Sequence, residues 1–304
     1  MFRNLLFTII ILLPQFTLAQ DNIALVGSHI ETKNFNKEKS SNKVFESNFE
    51  LYDRIILVEA ELNGIKGKYI LDTGSPMLLI NQKPNNNESI IGGISKNCKG
   101  EIVNVKEFVW AGISKKYIEA VAIDLSGLEK SIGTSISGLI GQNIFQNYEL
   151  YLDVSGQVIK LYKTRKSELH KNRSFKEKIN FSMQSHIPII TVKIDGKKYR
   201  FGIDTGSEVN VLNKKLRGKL DAQLFGSKAS QLVGVDGNPQ NLESATLNDF
   251  KIKGNEFRNF DFLLMDFSIL EESFDMKLDG ILGYPFLAQN QISINYKKQK
   301  IYLW

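Results

Sequence analysis

The chain has 304 residues, a formal charge of +6 and a pI near 9.1, with 42% hydrophobic and 24% charged residues. That composition excludes a disordered chain and leaves room for one large or two medium domains with a sizeable core. The positive charges are scattered and mostly lysine, without the clustered Arg/Lys and interleaved aromatics of a nucleic-acid surface.

Residues 1–19 read as a secretory signal peptide. Met1–Asn4 carries one positive charge, Leu5–Leu13 is almost wholly apolar, and Thr17-Leu18-Ala19 is a small-residue cleavage site. The apolar run is short for a membrane span, and no later segment is apolar enough to cross a bilayer. Export to the periplasm or the medium is therefore expected. Residues 20–50 are polar and rich in Asn, Lys and Ser, and read as a flexible arm or a pro-segment. The single cysteine, Cys98, excludes an internal disulfide, so burial must stabilise the fold.

From Leu51 the pattern becomes that of strands. Ile55–Leu62 is followed by the turn Asn63-Gly64 and a returning strand that ends Tyr69-Ile70-Leu71-Asp72-Thr73-Gly74-Ser75. The pattern recurs at Ile189–Ile194, the turn Asp195-Gly196, and a return ending Phe201-Gly202-Ile203-Asp204-Thr205-Gly206-Ser207. A carboxylate at the end of a buried strand is costly unless it is hydrogen-bonded or functional. Two of them in matching contexts point to one site built from two halves.

The repeat continues downstream. Gly138-Leu139-Ile140-Gly141 corresponds to Gly280-Ile281-Leu282-Gly283, and each copy closes with a hairpin, at Tyr162 and at Trp304. The two copies define lobes at 51–162 and 187–304, joined by a basic linker at 163–186 that reads as an exposed connector. The expected class is all-β with a few short helices.

Two copies of hydrophobic-Asp-Thr-Gly-Ser, each matched with a two-glycine apolar turn, resemble the aspartic proteases of the pepsin and retropepsin clan. The resemblance covers the chain from about residue 51. The short lobes without disulfides look more like bacterial retropepsin-like proteases fused in tandem than like a large pepsin. It implies a bilobal fold of two pseudo-two-fold-related, barrel-like lobes, with Asp72 and Asp204 as the catalytic pair.

Two facing carboxylates cannot both ionise cheaply, so one keeps a proton while the other activates a water. Thr73 and Thr205 are then expected to hydrogen-bond across the lobe interface. Gly74 and Gly206 let backbone amides approach the carboxylates, and Ser75 and Ser207 are placed to donate to their outer oxygens. The turns Gly138–Gly141 and Gly280–Gly283 are expected to support the loops from behind. Such donors favour the charged form and imply an acidic to mildly acidic optimum.

A flap over the second half is expected at Gln231–Asn238, with Gly234, Asp236 and Gly237 near its tip; the first-half candidate is Ile90–Val105. His29, His170 and His186 lack metal-ligand spacing and read as solvated, and no metal or other cofactor is expected. The sequence therefore reads as an exported aspartic endopeptidase acting on peptides or proteins, monomeric as an internal pseudo-dimer, with no nucleic acid or stable membrane span. The alternatives are a non-catalytic peptide-binding protein on the same fold, and an envelope protein with purely structural Asp-Thr-Gly turns.

Overall fold

A computed structural model describes residues 4–6, 44–85, 100–164, 169–171, 173–184, 186–233, 239–268, 270–271 and 277–304. Residues 1–3 and 7–43, His29 among them, and Cys98 lie outside them. Among the described residues no helix is long and apolar enough to cross a membrane.

Each lobe is a strongly bent sheet closed on itself. In the first, the strand order is 50–52, 55–62, 65–71, 138–140, 78–81, 113–123, 100–110, and a pairing of Ala60–Leu62 with Phe108–Trp110 closes the ring. The second lobe repeats this order with 182–184, 187–194, 197–203, 280–282, 210–213, 255–265 and 239–252, then adds 224–233 at the edge; Lys193 pairs with Lys251 to close it. Both lobes are all-β with a few short helices, as the sequence implied.

The strands form where β-branched residues can bury both faces. In Ile187–Ile194, Ile187 and Ile189 enter one cluster with Val211 and Ile281, while Ile190, Val192 and Ile194 enter the main core. The polar Thr191 and Lys193 point to solvent, as period-two alternation requires.

A third sheet of six strands joins the lobes, in the order 177–180, 300–303, 292–295, 148–153, 158–163, 44–48. It is symmetric about its middle, where Leu150 faces Ile294 and Tyr151 faces Ser293. Here the structure departs from the sequence reading at both linkers. Residues 44–48, assigned to a flexible arm, form a strand, Glu50 opens the strand 50–52 one residue before the expected lobe start, and 177–180 and 182–184 of the connector are strands as well. Each supplies one outer strand or lobe edge that the repeat units 51–162 and 187–304 lack.

The connector is also anchored by side chains. Glu149 is wholly buried in the first lobe's strand of the joining sheet. It accepts hydrogen bonds from Ser293 Oγ at 2.8 Å and Asn295 Nδ2 at 2.8 Å, both from the second lobe. His170 Nε2 of the connector lies 2.7 Å from it. Ser293 Oγ accepts from Trp304 Nε1 at 3.1 Å, so its own proton is free for Glu149. His170, read from sequence as solvated, packs instead on Tyr302 and Trp304, with ring centroids 4.4 and 5.0 Å away. Arg173 stacks between Tyr151 and Trp304. The lobes are thus joined by a shared sheet and a buried charge network, and the connector is part of the fold.

Candidate active site

Asp72 and Asp204 stand at the ends of the strands 65–71 and 197–203, one residue past the last paired position. The two-glycine segments pass directly behind them. Ile70 pairs in parallel with Leu139 while Leu79 pairs antiparallel with the same residue, so the segment 138–140 runs between the strands flanking the Asp72 loop. Ile281 stands in the same relation to Gly202 and Val211. The Asp72 N–H donates to Ile140 O at 3.1 Å, and the Asp204 N–H to Leu282 O at 3.1 Å.

Glycine is required in these segments by the closeness of the backbones. A Cβ on Gly141 would lie 2.1 Å from Met77 O, and one on Gly283 would lie 2.4 Å from Val209 O. On Gly138 it would meet Leu79 O at 2.0 Å, and on Gly280 the Phe201 ring at 2.4 Å. All four glycines thus sit where a side chain would collide with the neighbouring segment.

Across the lobe interface the two threonines form a reciprocal pair. The Thr73 N–H donates to Thr205 Oγ1 at 3.0 Å, and the Thr205 N–H to Thr73 Oγ1 at 2.9 Å. Thr205 Oγ1 in turn donates to Leu71 O at 2.8 Å. Each loop is thereby satisfied by the other, and neither lobe can move without breaking buried hydrogen bonds.

The carboxyls are almost fully buried, Asp72 at 0% exposure and Asp204 at 1%, and lie within hydrogen-bonding reach of each other. Asp72 Oδ1 accepts from the Gly74 N–H at 2.8 Å. Asp204 Oδ1 accepts from the Gly206 N–H at 2.8 Å and from the same Gly74 N–H at 3.2 Å. The pair is asymmetric, because Asp204 takes one amide from each lobe, whereas the amides beside Asp72, those of Gly74 and Ser75, both belong to its own turn. The Oδ2 atoms of both have no partner among the described residues.

Burial pushes Asp204 up to about 6, against the pull of its amides. Burial and the neighbouring Asp204 raise Asp72 well above the usual carboxylate range. Both carboxyls are thus held above the usual carboxylate range, and they titrate as one pair rather than as two separate acids.

Residues 190–286 match a family model described as aspartyl protease. The match spans the second lobe's first hairpin, the Asp204 loop, the hairpin arm and the glycine turn. No curated protein matches the chain.

Two sequence expectations about this protease site are changed by the structure. The hydroxyls of Ser75 and Ser207 do not reach the carboxylates. They donate to Met77 O at 2.9 Å and Val209 O at 2.6 Å, two residues along their own loops, and so fix the exit of each turn. Desolvation also outweighs the amide donors, so the carboxyls titrate upward from the acidic range. The flap positions Gly234, Asp236 and Gly237 lie outside the described residues, although the strands 224–233 and 239–252 that lead to and from them pair as a hairpin. Of the first-half candidate, residues 90–99 lie outside; Gly100–Val105 begin the strand Gly100–Trp110.

Three residues near the site had no signal in the motif. Gln142, the residue after Gly141, is buried and donates from Nε2 to Thr73 O at 2.9 Å. Tyr296 follows the strand 292–295 of the joining sheet and packs on Phe145, with centroids 5.7 Å apart. Burial and the fields of Asp204 and Asp72 hold its phenol well above the usual range. His186 holds φ at +87°, and burial pushes its imidazole down to about 4, so it stays neutral through most of the acid range. Among the described residues no cluster of His, Cys, Asp or Glu has the arrangement of a metal site.

Proposed function

We propose that the chain is an exported aspartic endopeptidase, monomeric, whose two lobes arose as repeats of one unit and whose Asp72/Asp204 pair hydrolyses peptide bonds. The observation that carries this reading is the shared Gly74 amide. One N–H contacts carboxylates from two lobes, so the two turns build one site.

The chemistry follows from the asymmetry. Asp204, ionised, takes a proton from a water lying between the Oδ2 atoms. Asp72, protonated, donates to the scissile carbonyl. The water attacks and a tetrahedral diol forms; the proton held by Asp204 passes to the leaving amine, and as the C–N bond breaks one diol hydroxyl returns its proton to Asp72, which restores the starting state. No covalent intermediate is needed. The reciprocal threonines hold the carboxyls in one geometry through the cycle, so little reorganisation accompanies the proton shifts.

The working state has a single proton on the pair. With Asp204 pushed up to about 6, that state is depleted at strongly acid pH, where both carboxyls are protonated and no base remains. The activity optimum is accordingly placed at mildly acidic to neutral pH, higher than the amide donors alone would set it. Export rests on the segment 1–19.

The test is digestion of an unfolded protein between pH 3 and 8, read by mass spectrometry of the products. Internal cuts that fall away toward pH 4 are expected. No new termini at any pH, with binding of peptides retained, would replace this reading with a non-catalytic peptide-binding protein.

A further inference from the structure

The peptide unit joining Thr73 to Gly74 is gripped at both ends. Its N–H is the one shared by Asp72 Oδ1 at 2.8 Å and Asp204 Oδ1 at 3.2 Å. Its carbonyl oxygen, on Thr73, accepts from Gln142 Nε2 at 2.9 Å. The same carboxamide also donates to the carbonyl of His186, at the entrance to the second lobe's first long strand. Gln142 cannot wander: it is 5% exposed, and its own backbone N–H donates to Ser75 O at 2.9 Å.

Two consequences follow from elementary amide chemistry. Holding the Thr73 oxygen fixes the plane of the peptide and therefore the direction of the Gly74 N–H. Drawing electron density to that oxygen also makes the N–H a stronger donor, because hydrogen bonds in a chain polarise one another. The second hydrogen bond of Gln142, to His186, ties this plane to the opposite lobe, at a residue whose left-handed backbone is costly for a non-glycine and so needs outside support.

The second lobe has no equivalent. Tyr284 follows Gly283 as Gln142 follows Gly141, and it offers a phenol in place of a carboxamide. Correspondingly, the Gly206 N–H donates to Asp204 alone among the described residues.

We infer that Gln142 is a positioning residue for the dyad: it aims one backbone amide at both carboxylates and so makes the two halves of the site unequal. The kinetic part of this inference rests on the peptidase reading; the electrostatic part does not. The carboxamide touches neither substrate nor reacting atoms.

Gln142→Met keeps the bulk and removes both donors. Weakening the donor to the ionised pair disfavours ionisation, so the acid-side titration of the dyad, followed by carboxyl carbon NMR, is expected to move up by about half a unit or more. In cleavage assays kcat is expected to fall by about tenfold, because the Gly74 amide stays in place but is no longer aimed and polarised, with KM unchanged. A merely structural role would lower Tm and leave the titration in place. Should the Met variant not fold, Gln142→Glu keeps the shape and is expected to shift the titration in the same direction, since it offers at most one donor and, once ionised, adds a like charge. Wild-type titration positions in whichever variant folds would overturn the inference. If the wild type cleaves nothing, the peptidase reading fails on its own, while the NMR titration still decides the role of Gln142.

Discussion

Replacing Asp72 or Asp204 by Asn is expected to lower the rate of peptide cleavage by about 10²–10⁴-fold, the range of a lost general acid or base, with the double variant no slower than the slower single one. The reason for the non-additivity is geometric. The carboxyls share one proton and one Gly74 amide, so removing either ends the same function.

The same variants are expected to be more stable than the wild type at neutral pH. A carboxyl whose folded pKa lies above its unfolded value loses stability as pH rises through the folded value. For Asp204, shifted from 3.8 to about 6, the cost begins above about pH 4 and is complete near pH 7. At roughly 1.4 kcal/mol per pKa unit, this is on the order of 2–3 kcal/mol. Denaturant midpoints at pH 4 and pH 7 check the sign: Asp204→Asn should gain on the wild type at pH 7 and gain little at pH 4. Equal activity in all variants would show that the pair is not the reacting centre. Lower stability of both variants at pH 7 would show that the carboxyls are not held at a cost.

The second large effect falls on the segments behind the carboxyls. Gly141→Ala and Gly283→Ala are each expected to destabilise the fold by about 3 kcal/mol or more. The added methyl would meet backbone on the far side of its loop: Met77 O at 2.1 Å and C at 2.5 Å for Gly141, Val209 O at 2.4 Å and Ser207 O at 2.5 Å for Gly283. A side chain could rotate away from such a contact, but these carbonyls belong to the turns that carry Asp72 and Asp204. Relief therefore requires the catalytic loops to shift, and activity should fall along with stability. A denaturant midpoint within about 0.5 kcal/mol of the wild type would mean that the chain passes further from the loops than described.

Much of this site was legible because it is local and written twice. Asp-Thr-Gly-Ser fixes the tight turn, and its duplication pairs Asp72 with Asp204, Thr73 with Thr205, and Gly141 with Gly283. The hidden features depend on what the chain meets far away in sequence. Val44–Asn48 and Glu177–Asn180 are short and polar enough to pass for linker; they are strands only because Tyr162 and Leu303 offer edges to them. Glu149 gave no sign of burial, since its donors lie about 145 residues away and an alternating strand has a place for a glutamate on either face. Gln142 lay beside a recognised glycine turn, yet only the fold brings its amide to the carbonyls of Thr73 and His186. The seryl hydroxyls misled because residue type allows a bond to the carboxylate, while the curl of each loop brings its own carbonyl nearer.

The central claim is that Asp72 and Asp204 form one proton-sharing unit, and direct titration of their carboxyl carbons by NMR, assigned through the two single Asn variants, tests it without any knowledge of substrate. The account predicts two linked steps, the first near pH 6 and the second well above the usual carboxylate range, with the remaining aspartate in each Asn variant titrating in a single step away from both. Two independent steps near pH 4, unchanged when the other aspartate is replaced, would contradict it.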